Sequence, residues 1–303
     1  MNYSICLLIL LVTFSACQQQ KRNTAQEERS TKSEQISVNL RKHVRINNEN
    51  MAWESREFQE SWDPSKTAFI ITDMWDEHWC ESATRRVGEL APRMNETVHA
   101  AREMGLTIIH APSGTMDFYA EWPQRKAAKS VPYHAAPEAF PINDWCYLDP
   151  EQEAALPIDD SDGGCDQPCS GGEPCEEREA WSRQTPEIDI AATDFISDQG
   201  QEIFNIIQSR NIENIVVMGV HLNMCVLGRP FAIRQMANLD KNVVLMRDMT
   251  DTMYNPEMLP YVDHFTGTDL VVAHVEKYWA PSMLSTDFTG KPAFRFASRN
   301  VAE

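Results

Sequence analysis

The sequence predicts an α/β fold, a three-layer α/β/α sandwich around a mostly parallel, doubly wound sheet. Two observations carry this. Short runs of β-branched and apolar residues recur without polar alternation, as in strands buried on both faces. Segments with helical spacing separate them, and such alternation builds a parallel sheet with right-handed crossovers. The length of 303 residues and the 42% hydrophobic content suit one large domain or two small ones.

Residues 36–63 mix short alternating runs with polar turns and read as an N-terminal arm or hairpin. From Lys66 the regular pattern begins, and 64–285 is taken as the main domain, with 286–303 a C-terminal tail. TAFIITDM (67–74) is a buried-strand run that ends in an acid. In ATRRVGELAPRMNETVHAAREMG (83–105), Val87, Leu90, Met94, Val98 and Ala101 share one helical face, and Pro92 marks a kink or a late start. LTIIHAPS (106–113), NIVVMGV (214–220), NVVLMRD (242–248) and DLVVAHV (269–275) repeat the strand form. SDQGQEIFNIIQSRN (197–211), with Ser197 or Asp198 as cap, and NMCVLGRPFAIRQMANLD (223–240) are helical. Residues 114–184 break the rhythm with prolines, acids, Trp122, Trp145 and four cysteines, and form an insertion that is functional or separately stapled. There is no internal repeat and no nucleotide-binding glycine pattern.

The N-terminus, MNYSICLLILLVTFSAC, has an apolar run too short to span a bilayer. FSAC resembles the lipobox of bacterial lipoproteins, so 1–17 is expected to be a signal peptide with Cys17 as the acylated residue. An ordinary secretory signal is the alternative, and the run lacks the usual preceding Lys or Arg. Residues 18–35 are polar and read as a disordered tether. The expected location is the cell envelope, anchored to a bacterial membrane on its periplasmic or extracellular side. A formal charge of −18 argues against nucleic acid as partner.

An oxidising compartment makes Cys146, Cys165, Cys169 and Cys175 candidates for two disulfides, with three pairings open. Zinc is the competing reading, although CDQPC and the step to Cys175 lack the paired C-x-x-C spacing. DDSDGG (159–164) hints at a calcium loop but reads better as an acidic turn.

Cys225 lies six residues past Gly219, where a strand should give way to a helix. A thiol at a helix N-terminus is expected to have a lowered pKa and N–H groups that hold an oxyanion. The alternative is a small buried hydrophobe. Asp73 ends its own strand and is a candidate base, or else a cap or turn residue. Together IITDM and VMGVHLNMCVLGRPFAIRQM resemble the isochorismatase-like cysteine hydrolases, over roughly residues 64–280. The resemblance implies Asp73 as general base and Cys225 as nucleophile, forming a thioester with loss of ammonia or an amine. It also implies a cis Val220–His221 bond, with the backbone N–H groups of His221 and Cys225 as oxyanion hole.

The family's catalytic lysine has no match. Its strand corresponds to PEIDIAATDF (186–195), where Asp189 stands nearest, and no lysine occurs between Lys129 and Lys241. Arg183, Lys126 or Lys129 entering from the insertion, a different third group, or loss of hydrolysis all stay open. The Asp-x-His pattern of the family's metal-dependent members is missing around His110 and Asp117. No metal and no cofactor are expected. Trp75, Trp79, His78, Phe118 and Tyr119 are candidate substrate contacts, with packing as the other role; Trp122 stands near them. Cys80 is expected to stay reduced and apart from Cys225. The leading reading is cleavage of a small-molecule C–N amide bond. Vinyl-ether hydrolysis and a non-catalytic binding module are the alternatives, and a homo-oligomer is possible within the family.

Overall fold

The computed structural model describes residues 35–46 and 52–297. The expected signal peptide, Cys17 and nearly all of the tether lie outside the described residues. Eight strands form one sheet: β1 (Ile36–Arg45), β2 (Trp53–Trp62), β3 (Thr67–Thr72), β4 (Thr107–Ala111), β5 (Phe195–Ile196), β6 (Asn214–Val220), β7 (Asn242–Asp251) and β8 (Ser282–Met283). Their order is β2-β1-β8-β7-β6-β3-β4-β5. All neighbours from β8 to β5 are parallel, while β1 runs antiparallel to both β2 and β8. The arm therefore is a hairpin, and it extends the sheet at one edge.

Helices α1 (Glu81–Glu103), α2 (Pro123–Ser130), α3 (Gly200–Ser209), α4 (Cys225–Gly228), α5 (Ile233–Asn238), α6 (His264–Tyr278) and α7 (Thr286–Thr289) complete the fold. Alternate strand residues face opposite layers. Ile70, Ile109, Val217 and Leu245 pack with Ile203, Ile207, Leu227, Met236 and Val275 of α3 to α6. Phe69, Ile71, Ile108, Met218 and Val244 pack with Val87, Leu90, Met94 and Val98 of α1. These two cores make the three-layer sandwich. α1 runs unbroken through Pro92.

Four sequence expectations change. DLVVAHV is helix, within α6: the Asp263 carboxylate caps it by accepting the N–H of Phe265 and Thr266. A short apolar run alone does not separate a buried helix from a strand. The helix expected over 223–240 splits into α4 and α5. Pro230 disfavours helical geometry at Arg229, whose ψ is 151°. The strand expected at 186–195 is only Phe195–Ile196. The Asp194 carboxylate instead accepts from Ala191 N–H and Arg102, which closes a turn. α3 begins after Gln199, so neither Ser197 nor Asp198 is its cap residue.

The cysteines also pair differently. Cys169 bonds Cys175 as one of the expected pairings, but Cys80 bonds Cys165. Cys146 stays free, held away by its N–H bond to Gly228 O. The insertion is tied to the body by charge as well. Arg86 of α1 donates to Asp166 of the insertion at 2.8 Å and to Asp251 at 2.6 Å. His264 Nε2 meets the other Asp251 oxygen at 2.9 Å.

Two outcomes follow from this packing. Gly219 has φ +113°, and a Cβ there would lie 1.9 Å from Thr72 O. Gly219→Ala is therefore expected to lower stability by roughly 3 kcal/mol or more in urea unfolding. For the Arg86 network, burial pushes the Asp251 carboxyl up, yet Arg86 and His264 hold it well below the ordinary 3.8. Asp166 is likewise lowered, with burial opposing and Arg86 prevailing. Their contribution is full above pH 3.8 and is lost as pH falls through the lowered folded values. His264 is raised above 6.5 because Asp251 outweighs burial, so its contribution is full below 6.5 and fades on the alkaline side. Urea midpoints across pH should fall in acid more for the native chain than for Asp251→Asn; equal slopes would remove this assignment.

Candidate active site

β3 and β6 are neighbours in register, with Thr72 opposite Gly219. The chain after β3 goes to β4 on one side, and β6 leads to β7 on the other. This is a switch point, where a doubly wound sheet opens a crevice at the strand ends. Asp73 and the 220–229 turn leave the sheet side by side there.

Asp73 is fully buried and takes left-handed backbone (φ 48°), which turns its carboxylate back toward the strand ends. Its Oδ1 accepts the Ser113 N–H at 2.7 Å, and its Oδ2 accepts Arg229 Nε at 3.0 Å. The Val220–His221 peptide is cis, in agreement with the resemblance. Leu222 N–H then bonds Asp251 O, while Met224 and Val226 N–H both bond His221 O. These bonds set Cys225 as the first residue of α4.

Arg229, which the sequence reading does not single out, is the cation that meets Asp73. It stands one turn after Cys225, at the i,i+4 position that shares a helical face. Its guanidinium pairs with Asp73 and lies 5.4 Å over the Trp145 ring. Trp145 comes from the insertion and rests on Gly228, where a Cβ would lie 2.4 Å from the indole. The sequence signal was present in CVLGRP: a cation one turn beyond the thiol, fixed by a proline stop. Asp189, the residue nearest the expected lysine, is exposed and bonds His99 and Asn95 instead. Arg183 reaches Asp76 at 3.8 Å and Lys126 reaches Glu121 at 2.7 Å; the Asp73 partner is Arg229.

The thiol itself differs from expectation. α4 is one turn long, so its dipole is small. Burial pushes the Cys225 thiol far up, Asp73 adds to this, and Arg229 pulls it down through charge and hydrogen bonding. The resting group is therefore a protonated thiol between a carboxylate and a guanidinium. Arg229 is raised by Asp73 and Cys225 against the effect of burial.

The expected aromatic contacts divide. Trp75 is buried, donates its indole N–H to Ser113 O, and stacks on Trp181 at 4.1 Å. His78 stacks against both, at 6.1 and 6.0 Å, and meets the His221 ring edge-on at 5.0 Å. Burial holds His78 down at about 4 and His221 well below 6.5, so both are neutral at pH 7. Trp79 lies over Gly163 of the insertion and, with His78, lines a groove of about 730 Å³ between Glu77, Arg85 and Arg178. Tyr119 is buried, with its oxygen accepting Gln184 N–H and its phenol pushed by burial to about 12. Phe118 is 43% exposed under Arg183, and Trp122 is 38% exposed. Tyr119 is thus fixed by packing and its bond to Gln184, while Phe118 stays open to solvent. His110 is fully buried between Gln184 and Asp194, and the Cys80 disulfide removes it from any pairing with Cys225.

The sequence matches no protein-family model and no curated protein. Among solved structures the chain is similar to a cysteine hydrolase from Pseudomonas syringae pv. phaseolicola 1448A, with 12% identity, 76% of this chain and 93% of that one covered, and a TM-score of 0.45. It is also similar to an isochorismatase from Pseudomonas putida KT2440 (11%, 74% and 91%, 0.44) and to N-carbamoylsarcosine amidase from Thermoplasma acidophilum (13%, 73% and 95%, 0.38).

Proposed function

We propose that this chain is an isochorismatase-like cysteine hydrolase that cleaves a small-molecule C–N amide bond. One observation carries the reading: a buried carboxylate, a thiol and a guanidinium interact at the ends of two adjacent parallel strands. Asp73 takes the Cys225 proton as the sulfur attacks the carbonyl carbon. Proton loss relieves the repulsion that holds the thiol protonated, because Asp73 becomes neutral as the thiolate forms. Arg229 remains cationic throughout and balances the thiolate. The backbone N–H groups of His221 and Cys225 receive the oxyanion. Asp73 then returns the proton to the departing nitrogen, leaving a thioester, and later draws a proton from the water that hydrolyses it.

Trp75, Trp181, His78 and His221 offer this site a neutral, planar wall, suited to a flat uncharged amide. Attachment to a bacterial membrane through Cys17 belongs to the same proposal, as an extracytoplasmic setting for disulfide-bearing chains.

Two outcomes test this. Cys225→Ala is expected to lose turnover by at least ~1000-fold on any amide the native chain hydrolyses, without a change in unfolding midpoint. An acyl adduct on Cys225, seen by mass spectrometry after rapid acid quench, is the positive counterpart; full activity in the variant would defeat the nucleophile. Arg229→Lys is expected to retain far more kcat than Arg229→Leu, because a cation restores the partner of Asp73. Equal losses in the two would show that charge at this position is not what matters.

A further inference from the structure

The two disulfides share one sulfur cluster. The Sγ atoms of Cys80, Cys165 and Cys175 lie within 4.8 Å of one another, and Cys169 Sγ is bonded to Cys175. Cys80 is the cap residue before α1, and the other three come from residues 165–175 of the insertion. Nothing in loop stapling alone requires two disulfides to converge, since each closes its own loop. A tetrahedral four-thiolate centre does require it: with Zn–S near 2.3 Å, its sulfurs stand about 3.8 Å apart.

The surroundings favour such a centre. Between Ile158 and Ile188 no hydrophobic residue is buried, so this stretch has no apolar core of its own to fix it. Ser82 Oγ lies 3.1 Å from Cys80 Sγ and donates to Asp166, which ties the start of α1 to the same loop. Arg85 donates to Gln167, whose backbone carbonyl oxygen lies 3.4 Å from Cys165 Sγ and 3.7 Å from Cys175 Sγ, which places one cation near the negative charge that the thiolates would carry.

We propose that Cys80, Cys165, Cys169 and Cys175 are a metal site that binds one Zn²⁺ in the reduced chain. The two disulfides are its oxidised form. Reduction takes four electrons and four protons. A phosphine supplies them as two molecules become phosphine oxide with oxygen from two waters, leaving four thiols. The metal then binds the four sulfurs and releases the four protons. Metal or disulfide, the cluster holds the loop that carries His78 and Trp79, while the hydrolytic site contributes none of its ligands.

The test uses the full chain carrying Cys146→Ser and Cys225→Ser, so that the only reactive thiols among the described residues are those of the cluster. After anaerobic phosphine treatment it is titrated with Co²⁺. The expected result is one Co²⁺ per chain, with the near-ultraviolet thiolate charge-transfer bands and strong visible bands of tetrahedral cobalt. Stoichiometric Zn²⁺ should bleach them. Adding Cys175→Ser should weaken binding beyond the roughly 100-fold effect of losing an outer-shell partner. Circular dichroism of each reduced chain separates loss of a ligand from loss of the fold. Resistance of the folded chain to phosphine, binding without a tetrahedral spectrum, or unchanged affinity in the serine variant would each overturn the proposal.

Discussion

The close approach of β3 and β6 is the constraint on which the rest of the site depends. Thr72 O occupies the space where any residue but glycine at 219 would place its Cβ. Because the strands meet that closely, Asp73 and the turn from His221 to Arg229 emerge side by side. β7 bulges against β6, with Leu245 to Thr250 opposite Val217 to Gly219, and Thr250 Oγ1 bonds Gly219 O. Strand pairing thus fixes the backbone on both sides of the glycine. The left-handed Asp73 then turns one carboxylate oxygen to Ser113 N–H and the other to Arg229.

The insertion is part of this construction rather than an addition to it. Trp145 lies on Gly228 and under the guanidinium of Arg229. Asp160 accepts from Asn223, which also exchanges hydrogen bonds with the backbone of Met253, so the turn that leads to Cys225 is gripped from two directions. Asp166 reaches Arg86 and, through it, Asp251 at the end of β7, opposite Val220. The Asp160 and Asp166 contacts are directed bonds, from a stretch in which no hydrophobic residue between Ile158 and Ile188 is buried.

Much of this was legible from the residues. The strand runs of β3, β4, β6 and β7, the apolar face of α1, and the placing of Asp73 and Cys225 at strand ends follow from periodicity and from sheet topology. What was not legible depends on contacts made across the chain. DLVVAHV has a strand's composition, and only the Asp263 cap and the facing core make it a helix. Cys80 pairs with Cys165 across a separation of 85 residues, which no local spacing reports. Arg229 was hidden for a different reason: a replacement for lysine was sought at the lysine's own strand and in the insertion. The cation beside Asp73 comes instead from the residue that ends the Cys225 turn.

That change of origin alters what the third group can do. A lysine can give up its proton when desolvated, whereas a guanidinium cannot under any condition a folded protein survives. In the proposed mechanism proton movement would therefore pass through Asp73, with Arg229 as a fixed charge. The Cys225 thiol fits that division, since burial and Asp73 hold it protonated until the carboxylate accepts its proton. Arg229 also has a planar face that lysine lacks, and Trp145 covers it. The indole and the guanidinium are thus in contact, so the insertion that carries the ring packs against the same Arg229 that pairs with Asp73.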